Sequence, residues 1–337
     1  MRRFLIFAFL LSRCNGTDVR PPAADDYVIA FSSCLNQYDD TSIWNLIAAQ
    51  KPALFLFLGD TIYADTHDMN IKRRAFARLN ADKHYRELKK GTRVLAVWDD
   101  HDYGLNDAGG SYGEKRQMQK IFLDAFDEPQ DSPRRRQEGI YTAEEFQLNG
   151  KVIQILVVDV RYFRTNWKYG PKDPPFSRTY AEDNAETSTM LGAAQWQWLR
   201  AQVAKKADLR IFVTSTPALS DDYKGERWGA FPKERTRLFQ AMAAATTGKW
   251  LIVTGDRHFA QVSKRSDVLK YPLIELMASG MNTVWEDGSK EPDRYRDGEA
   301  LADYNFGVLR INGRKSSLRY AIHAGDGREW KTGELDF

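Results

Sequence analysis

The chain alternates short apolar runs with polar, often acidic, breaks. Leu54-Phe55-Leu56-Phe57-Leu58 has no polar position, which fits a strand covered on both faces, and Gly59 lets the backbone turn sharply before Asp60. Similar runs predict strands over 28–33, 93–98, 152–158, 211–215, 250–254 and 274–278. Helical spacing predicts helices over 42–50, 70–90, 114–126 and 233–245, and another whose face carries Leu191, Ala194, Trp198 and Ala201. At the end, Val308, Leu309 and Ile311 lead into Asn312-Gly313, and Leu318, Tyr320 and Ile322 alternate on the return, which predicts a hairpin. Residues 162–190 are too long for an ordinary connection and read as a substrate-side lid. Strands alternating with helices, followed by alternating strands, predict an α/β fold in which two packed sheets lie between helices.

A length of 337 residues suits one large α/β domain. The expected organisation is a signal peptide or lipoprotein signal plus tether over 1–24 and a single domain over 25–337. Arg2 and Arg3 precede an apolar stretch far shorter than the ~20 residues of a spanning helix, so the leader reads as an export signal rather than a membrane span. Leu11-Ser12-Arg13-Cys14 resembles a lipobox, with Arg13 where a small residue is expected, so a lipid anchor on Cys14 stays open. The expected location is periplasmic, extracellular or lipid-anchored at the cell envelope. With 49 Lys and Arg against 46 Asp and Glu, no whole-chain field draws the protein to nucleic acid or anionic lipid, and the expected partner is small. The only other cysteine is Cys34, which can pair with Cys14 only if Cys14 is neither lipidated nor removed with the leader.

The candidate chemistry sits where strands end, the place open α/β sheets put their sites. Asp60, Tyr63 and Asp65 follow one strand, and Asp99-Asp100-His101-Asp102, with Asn106 beyond it, follows another. Counted from Asp100 as a calcium EF-hand, this loop has Leu105 where glycine is required and Ser111 where a bidentate glutamate is required, so it is not one. Gly255-Asp256-Arg257-His258 repeats the Gly59-Asp60 grammar, and Cys34 also lies at a strand end. Arg161 reaches the same edge, either as a structural ion pair with Asp159 or as a substrate-binding fork. Each motif alone has a plain structural reading as a polar turn or a buried thiol. Their recurrence at several strand ends favours a functional site.

In order, Ser33-Cys34, Gly59-Asp60-Thr61-Ile62-Tyr63, Trp98-Asp99-Asp100-His101-Asp102, Asp159-Val160-Arg161 and Gly255-Asp256-Arg257-His258 resemble the alkaline phosphatase D (PhoD-like) family. That family lies among the calcineurin-like metallophosphatases, and the Gly-Asp-x-x-Tyr pattern is shared with purple acid phosphatases. The resemblance spans nearly all of residues 28–281. It implies a four-layer αββα sandwich of two mixed sheets flanked by helices, Fe3+ with Ca2+ or another divalent metal, and hydrolysis of phosphate mono- and diesters. Carried over residue by residue, it makes Cys34, Asp60 and Tyr63 iron ligands, Asp256 and His258 the late ligand motif, and Asn106 the downstream ligand asparagine. Three features depart from the family pattern. Some members have adjacent asparagines where this chain has Asn106-Asp107, many carry an N-terminal β-domain ahead of the first strand, and Arg2-Arg3 lacks the full twin-arginine pattern.

The donor types are consistent with that implication, since thiolate, phenolate and carboxylate are anionic ligands that lose a proton to bind a highly charged ion. A second ion sharing Asp60 would hold a bridging hydroxide as the nucleophile. In this scheme His101 protonates the leaving oxygen, Asp100 or Asp102 orients it, and Arg161 clamps the phosphate. The expected substrate is a small phosphoester, with phosphodiester or phospholipid specificity as the alternative. A different class of reading is a noncatalytic exported calcium-binding protein on a degenerate phosphatase scaffold, its ions held by the loops from Asp99 and Asp221.

Overall fold

The structure is a computed structural model that describes residues 26–173 and 178–337. The leader, Cys14 and the tether lie outside the described residues, as do residues 174–177 of the expected lid. The strands are β1 (Tyr27–Ser32), β2 (Leu54–Leu58), β3 (Arg93–Val97), β4 (Thr142–Leu148), β5 (Lys151–Val157), β6 (Leu209–Val213), β7 (Lys249–Thr254), β8 (Ala260–Arg265), β9 (Leu273–Ala278), β10 (Asn305–Asn312), β11 (Ser317–Ala324) and β12 (Glu329–Asp336). The helices are α1 (Ile43–Ala49), α2 (Met69–Ala81), α3 (Lys83–Lys89), α4 (Asp100–Tyr103), α5 (Lys115–Ala125), α6 (Gly192–Val203), α7 (Pro232–Ala243) and α8 (Glu286–Ser289).

Two six-stranded mixed sheets form, in the orders β12-β11-β10-β1-β2-β3 and β4-β5-β6-β7-β9-β8. In the first, β1, β2 and β3 are parallel; in the second, β5, β6, β7 and β9 are parallel. Period-two alternation explains the layers. Ile211, Val213, Leu251 and Val253 join a core shared with the first sheet, whereas Phe212, Trp250 and Ile252 pack with Trp196 and Leu199 of α6 and Leu238 and Met242 of α7. On β2, Phe55 and Phe57 meet Trp44 of α1 at ring distances of 5.0 and 5.5 Å, so the intervening leucines face the other way. The result is the expected αββα sandwich.

Several local expectations shift. The helix over 70–90 is two helices, because the Asp82 carboxylate caps α3 by accepting the amides of His84 and Tyr85 at 2.9 and 2.8 Å. Strand β4 is largely polar, and β8 loses its apolar pattern toward its end, so hydrophobic runs did not reveal either one. The tail is a three-stranded meander, and β10 and β11 close at Asn312 opposite Ser317 around a longer loop than the Asn-Gly pair alone. Helix α6 buries Gln195, Trp196, Leu199 and Val203 and exposes Ala194 and Ala201, a correction to the expected face. Polar anchors turn it. Gln195 brackets the peptide of Asp159 at 2.7 and 2.8 Å, and the Trp196 indole donates to Glu234 at 2.8 Å.

Candidate metal centre

The parallel strands of both sheets deliver their C-terminal ends to one place. Cys34 follows β1, Asp60 follows β2, Asp100 follows β3, and Asp256 and His258 follow β7. Four of these adopt left-handed backbone, with φ of +62° at Cys34, +50° at Asp60, +77° at Asp256 and +60° at His258. Such conformations cost non-glycine residues of order 1 kcal/mol or more each, and they cluster where side chains must be aimed. The two Gly-Asp turns also allow close approaches, the first between neighbouring strand ends of one sheet and the second between the two sheets. A Cβ on Gly59 would lie 2.4 Å from Cβ of Asp99, and one on Gly255 would lie 2.4 Å from Oγ of Ser33.

The donor atoms converge closely. Sγ of Cys34 lies 3.6 Å from Oδ2 of Asp60 and 3.3 Å from Oγ of Ser279. Oη of Tyr63 lies 3.2 Å from Nε2 of His258. Donors of Cys34, Asp60 and His258 all fall within 4.8 Å of one another, as do those of Asp60, Asp100 and His101, and those of Asp99, Asp100, Glu226 and Asp256. Oδ1 of Asp60 and Oδ2 of Asp99 are buried with no hydrogen-bond partner. A buried carboxylate oxygen left bare is costly, and a cation is the natural partner for it. With sulfur, imidazole and carboxylate donors around these bare oxygens, the residues fit metal ions. Asn106 is exposed and lines the same cleft, whose volume is about 170 Å³.

Charge points the same way. Burial, then the charges of Asp100 and Cys34, push Asp60 well above the usual carboxylate range. Burial, then Glu226 and Asp99, do the same to Asp256. Burial also pushes the Cys34 thiol up, but His258 and the hydroxyls of Ser279 and Ser33 outweigh it and bring the thiol to about 6. In the metal-free cluster Asp60 and Asp256 therefore hold protons more tightly than free carboxylates, and cations would compete with those protons.

Three expectations about the catalytic groups change. Nδ1 of His101 is held by Asp65 at 2.8 Å, not by Asp100 or Asp102. Asp102 is committed to the amides of Thr61 and Ile62 at 2.8 and 3.0 Å, and Oδ2 of Asp100 accepts the Asp107 amide at 2.6 Å. Arg161 does not reach the cleft. It is fully buried, with Nε on Asp99 and its two terminal nitrogens on Glu226 at 2.6 Å each, so its fork is saturated and it cannot clamp a phosphate. Asp159 is not its side-chain partner either, because the Asp159 carboxylate accepts the backbone amides of Ile140, Arg161 and Tyr162 and the Trp98 indole. Glu226 was not foreseen. It sits in a polar loop, Gly225-Glu226-Arg227-Trp228, with no flanking strand to single it out, and its place beside Asp99, Asp100 and Asp256 and on Arg161 emerges only with the fold.

The family model described as PhoD-like phosphatase matches residues 29–296. Among curated proteins no match was found. A solved structure described as "Structure of PhoD" aligns with a TM-score of 0.68 over 92% of this chain and 68% of its own, at 16% identity, a likeness of fold.

Proposed function

From the premise that the chain belongs to the PhoD-like phosphatase family, we propose that it is an exported metallophosphoesterase whose site holds Fe3+ and Ca2+ or another divalent metal. The observation that carries this reading is the pair of bare buried carboxylate oxygens, on Asp60 and Asp99, within a cluster of thiol, imidazole and carboxylate donors. Cys34, Asp60, Tyr63 and His258 would hold the iron. Asp60, Asn106 and Asp256 would hold the divalent ion, with Asp100 and Glu226 beside them. When bound, the ions supply a hydroxide at neutral pH and offset the negative charge of the phosphate.

The chain's own groups manage the leaving oxygen. Asp65 occupies Nδ1 of His101, which leaves Nε2 to carry the proton. The Tyr63 ring lies 4.4 Å from the imidazole and limits its rotation. Burial disfavours the imidazolium, but Asp100 and Asp65 outweigh it and push His101 to about 9 in the metal-free protein, so it is cationic at neutral pH. Arg161 acts one layer back by neutralising Asp99 and Glu226 and fixing their positions. Export is supported by the leader's Arg2-Arg3 and short apolar run. No helix among the described residues is long and apolar enough to cross a membrane.

The test is elemental analysis of purified protein together with a panel of phosphoesters, for wild type and Asp60→Ala. Iron and a divalent metal should co-purify, and Asp60→Ala should lose both along with activity. Full activity in Asp60→Ala would sink the reading.

A further inference from the structure

Resting on the phosphoesterase reading, we propose that Arg178 and Arg257 form the anion-recognition wall of the cleft, and that this pair selects a dianionic phosphate monoester over a monoanionic diester. With Arg161 saturated, these are the arginines that line the cleft.

Arg257 stands between the candidate ligands Asp256 and His258 and is only 5% exposed. Its Nη2 pairs with Glu291, and its guanidinium lies 4.9 Å from the centre of the Tyr223 ring. Its Nε is buried with no hydrogen-bond partner. Gly225 makes the space, since a Cβ there would lie 2.2 Å from Nη1 of Arg257. Nε is shut off from the cleft, so with Nη2 on Glu291 the nitrogen left to meet an anion that arrives from outside is Nη1, beside Gly225 in the cleft lining.

Arg178 comes from a separate segment, and its side chain is 46% exposed. Among the described residues, its Nη1 contacts the Asp107 carboxylate at 2.5 Å and the Asn106 carbonyl at 3.4 Å. Asp107 is itself fixed, because its carboxylate accepts the Tyr180 hydroxyl at 2.5 Å and its amide is held by Asp100 at 2.6 Å. Asp107 thus holds Arg178 at the cleft, and among the described residues no hydrogen bond engages its Nε or Nη2. Two guanidinium groups on independently anchored segments offer donors from two directions to a phosphoryl group with two charges and several free oxygens. Where a diester turns its second esterified oxygen toward this wall, that oxygen carries no charge and accepts hydrogen bonds more weakly than a free oxygen.

The experiment compares wild type, R178Q, R178K and R257K, each metal-loaded, on p-nitrophenyl phosphate and bis(p-nitrophenyl) phosphate. Inorganic phosphate binding is measured on the same samples by calorimetry. R178Q should lower kcat/KM on the monoester by about 10–100-fold, the scale of a lost charge-assisted hydrogen bond, and on the diester by less than about 3-fold. Phosphate affinity should weaken about 10-fold or more, with metal content and melting temperature unchanged. R178K should restore only part of the loss, since lysine keeps the charge but not the fork. R257K, which keeps a cation against Glu291, should weaken phosphate by a similar factor. Equal losses on both esters, or unchanged phosphate affinity in R178Q, would overturn the proposal, and unchanged affinity in R257K would remove Arg257 from the wall. If wild type hydrolyses neither ester, the phosphoesterase reading falls, and the phosphate titration alone decides whether the wall binds an anion.

Discussion

The hydroxyl of Tyr63 and Nε2 of His258 are 3.2 Å apart although 195 positions separate them in sequence. Tyr63 follows β2 of the first sheet and His258 follows β7 of the second, so this contact joins the two sheets over the cluster. Burial, then the charges of Cys34 and Asp60, raise the Tyr63 phenol well above its ordinary value, so the metal-free residue is neutral. Only a strongly charged cation reverses that balance.

Tyr63→Phe is therefore expected to change the metal and not the fold. A phenolate on ferric iron gives a visible charge-transfer band, so the oxidised wild type should be coloured and the variant bleached. Its melting temperature should stay close to wild type, because the substitution removes one oxygen and little volume. A colourless, fully active wild type without iron would reject the ferric assignment.

His101→Ala should slow esters with poor leaving groups by up to ~10²–10⁴ while leaving iron content intact. Asp65→Asn should act in the same direction more weakly, since it leaves the imidazole in place but removes the carboxylate on Nδ1. The check is the ratio of turnover on activated and unactivated esters. Equal loss on both would mean that His101 does not protonate the leaving oxygen.

The sequence made the fold and most of the side chains of the cluster legible for one physical reason. Cys34, Asp60, Asp100, Asp256 and His258 each follow a buried apolar strand, so pattern and chemistry coincide. Where they do not coincide, the sequence is silent. Glu226 and Arg178 act from loops, and nothing local distinguishes their charges from solvated ones, while Asp65 was visible as a candidate but its hold on His101 was not. Arg161 misleads for the opposite reason. Its place at the end of β5 suggests the cleft, but its direction is set by Asp99 and Glu226, distant residues whose partnership exists only after folding. Strand β4, with polar side chains on a half-exposed edge, is invisible to a search for apolar runs.

Lys72 is another residue that the pattern hides. It is fully buried on α2, and its Nζ donates to the carbonyls of His101 at 2.6 Å and Gly104 at 2.8 Å, closing the short helix α4 that carries Asp100 and His101. Lys72→Met keeps the length of the side chain but leaves two carbonyls without a donor. The expected cost is about 2–4 kcal/mol in urea unfolding. Activity should fall through kcat, because the turn that holds His101 loosens. A variant as stable and as active as wild type would show that the turn is held by Asp102 alone.

The metal-free protein should lose stability as pH rises. Asp60 and Asp256 have folded values raised by burial and by neighbouring carboxylates above the unfolded value of about 4, so their contribution is full below that pH and is lost as pH climbs through the folded value. His101 adds to this slope: it is raised to about 9, and its contribution is full below the unfolded value of about 6.5 and fades as pH approaches 9. Cys34 opposes them. Burial raises it, but His258 and the serine hydroxyls bring it to about 6, so its contribution is present above about pH 8.5 and is lost as pH falls through 6. Asp100, which burial would raise, is held below the usual range by His101 and Arg161 and has no slope above about pH 5. Burial also raises Asp99 to about 6 and Glu226 to about 7, which act in the same direction as Asp60 and Asp256, so a net fall in metal-free melting temperature is expected between about pH 5 and about pH 8. Metal binding must displace the protons on Asp60 and Asp256, so the stabilisation conferred by added metal should grow across the same window. Thermal unfolding with and without metal, at matched ionic strength, measures both slopes. A metal-free melting temperature that rises across the window, or a metal increment independent of pH, would show that these carboxylates do not store protons for a metal.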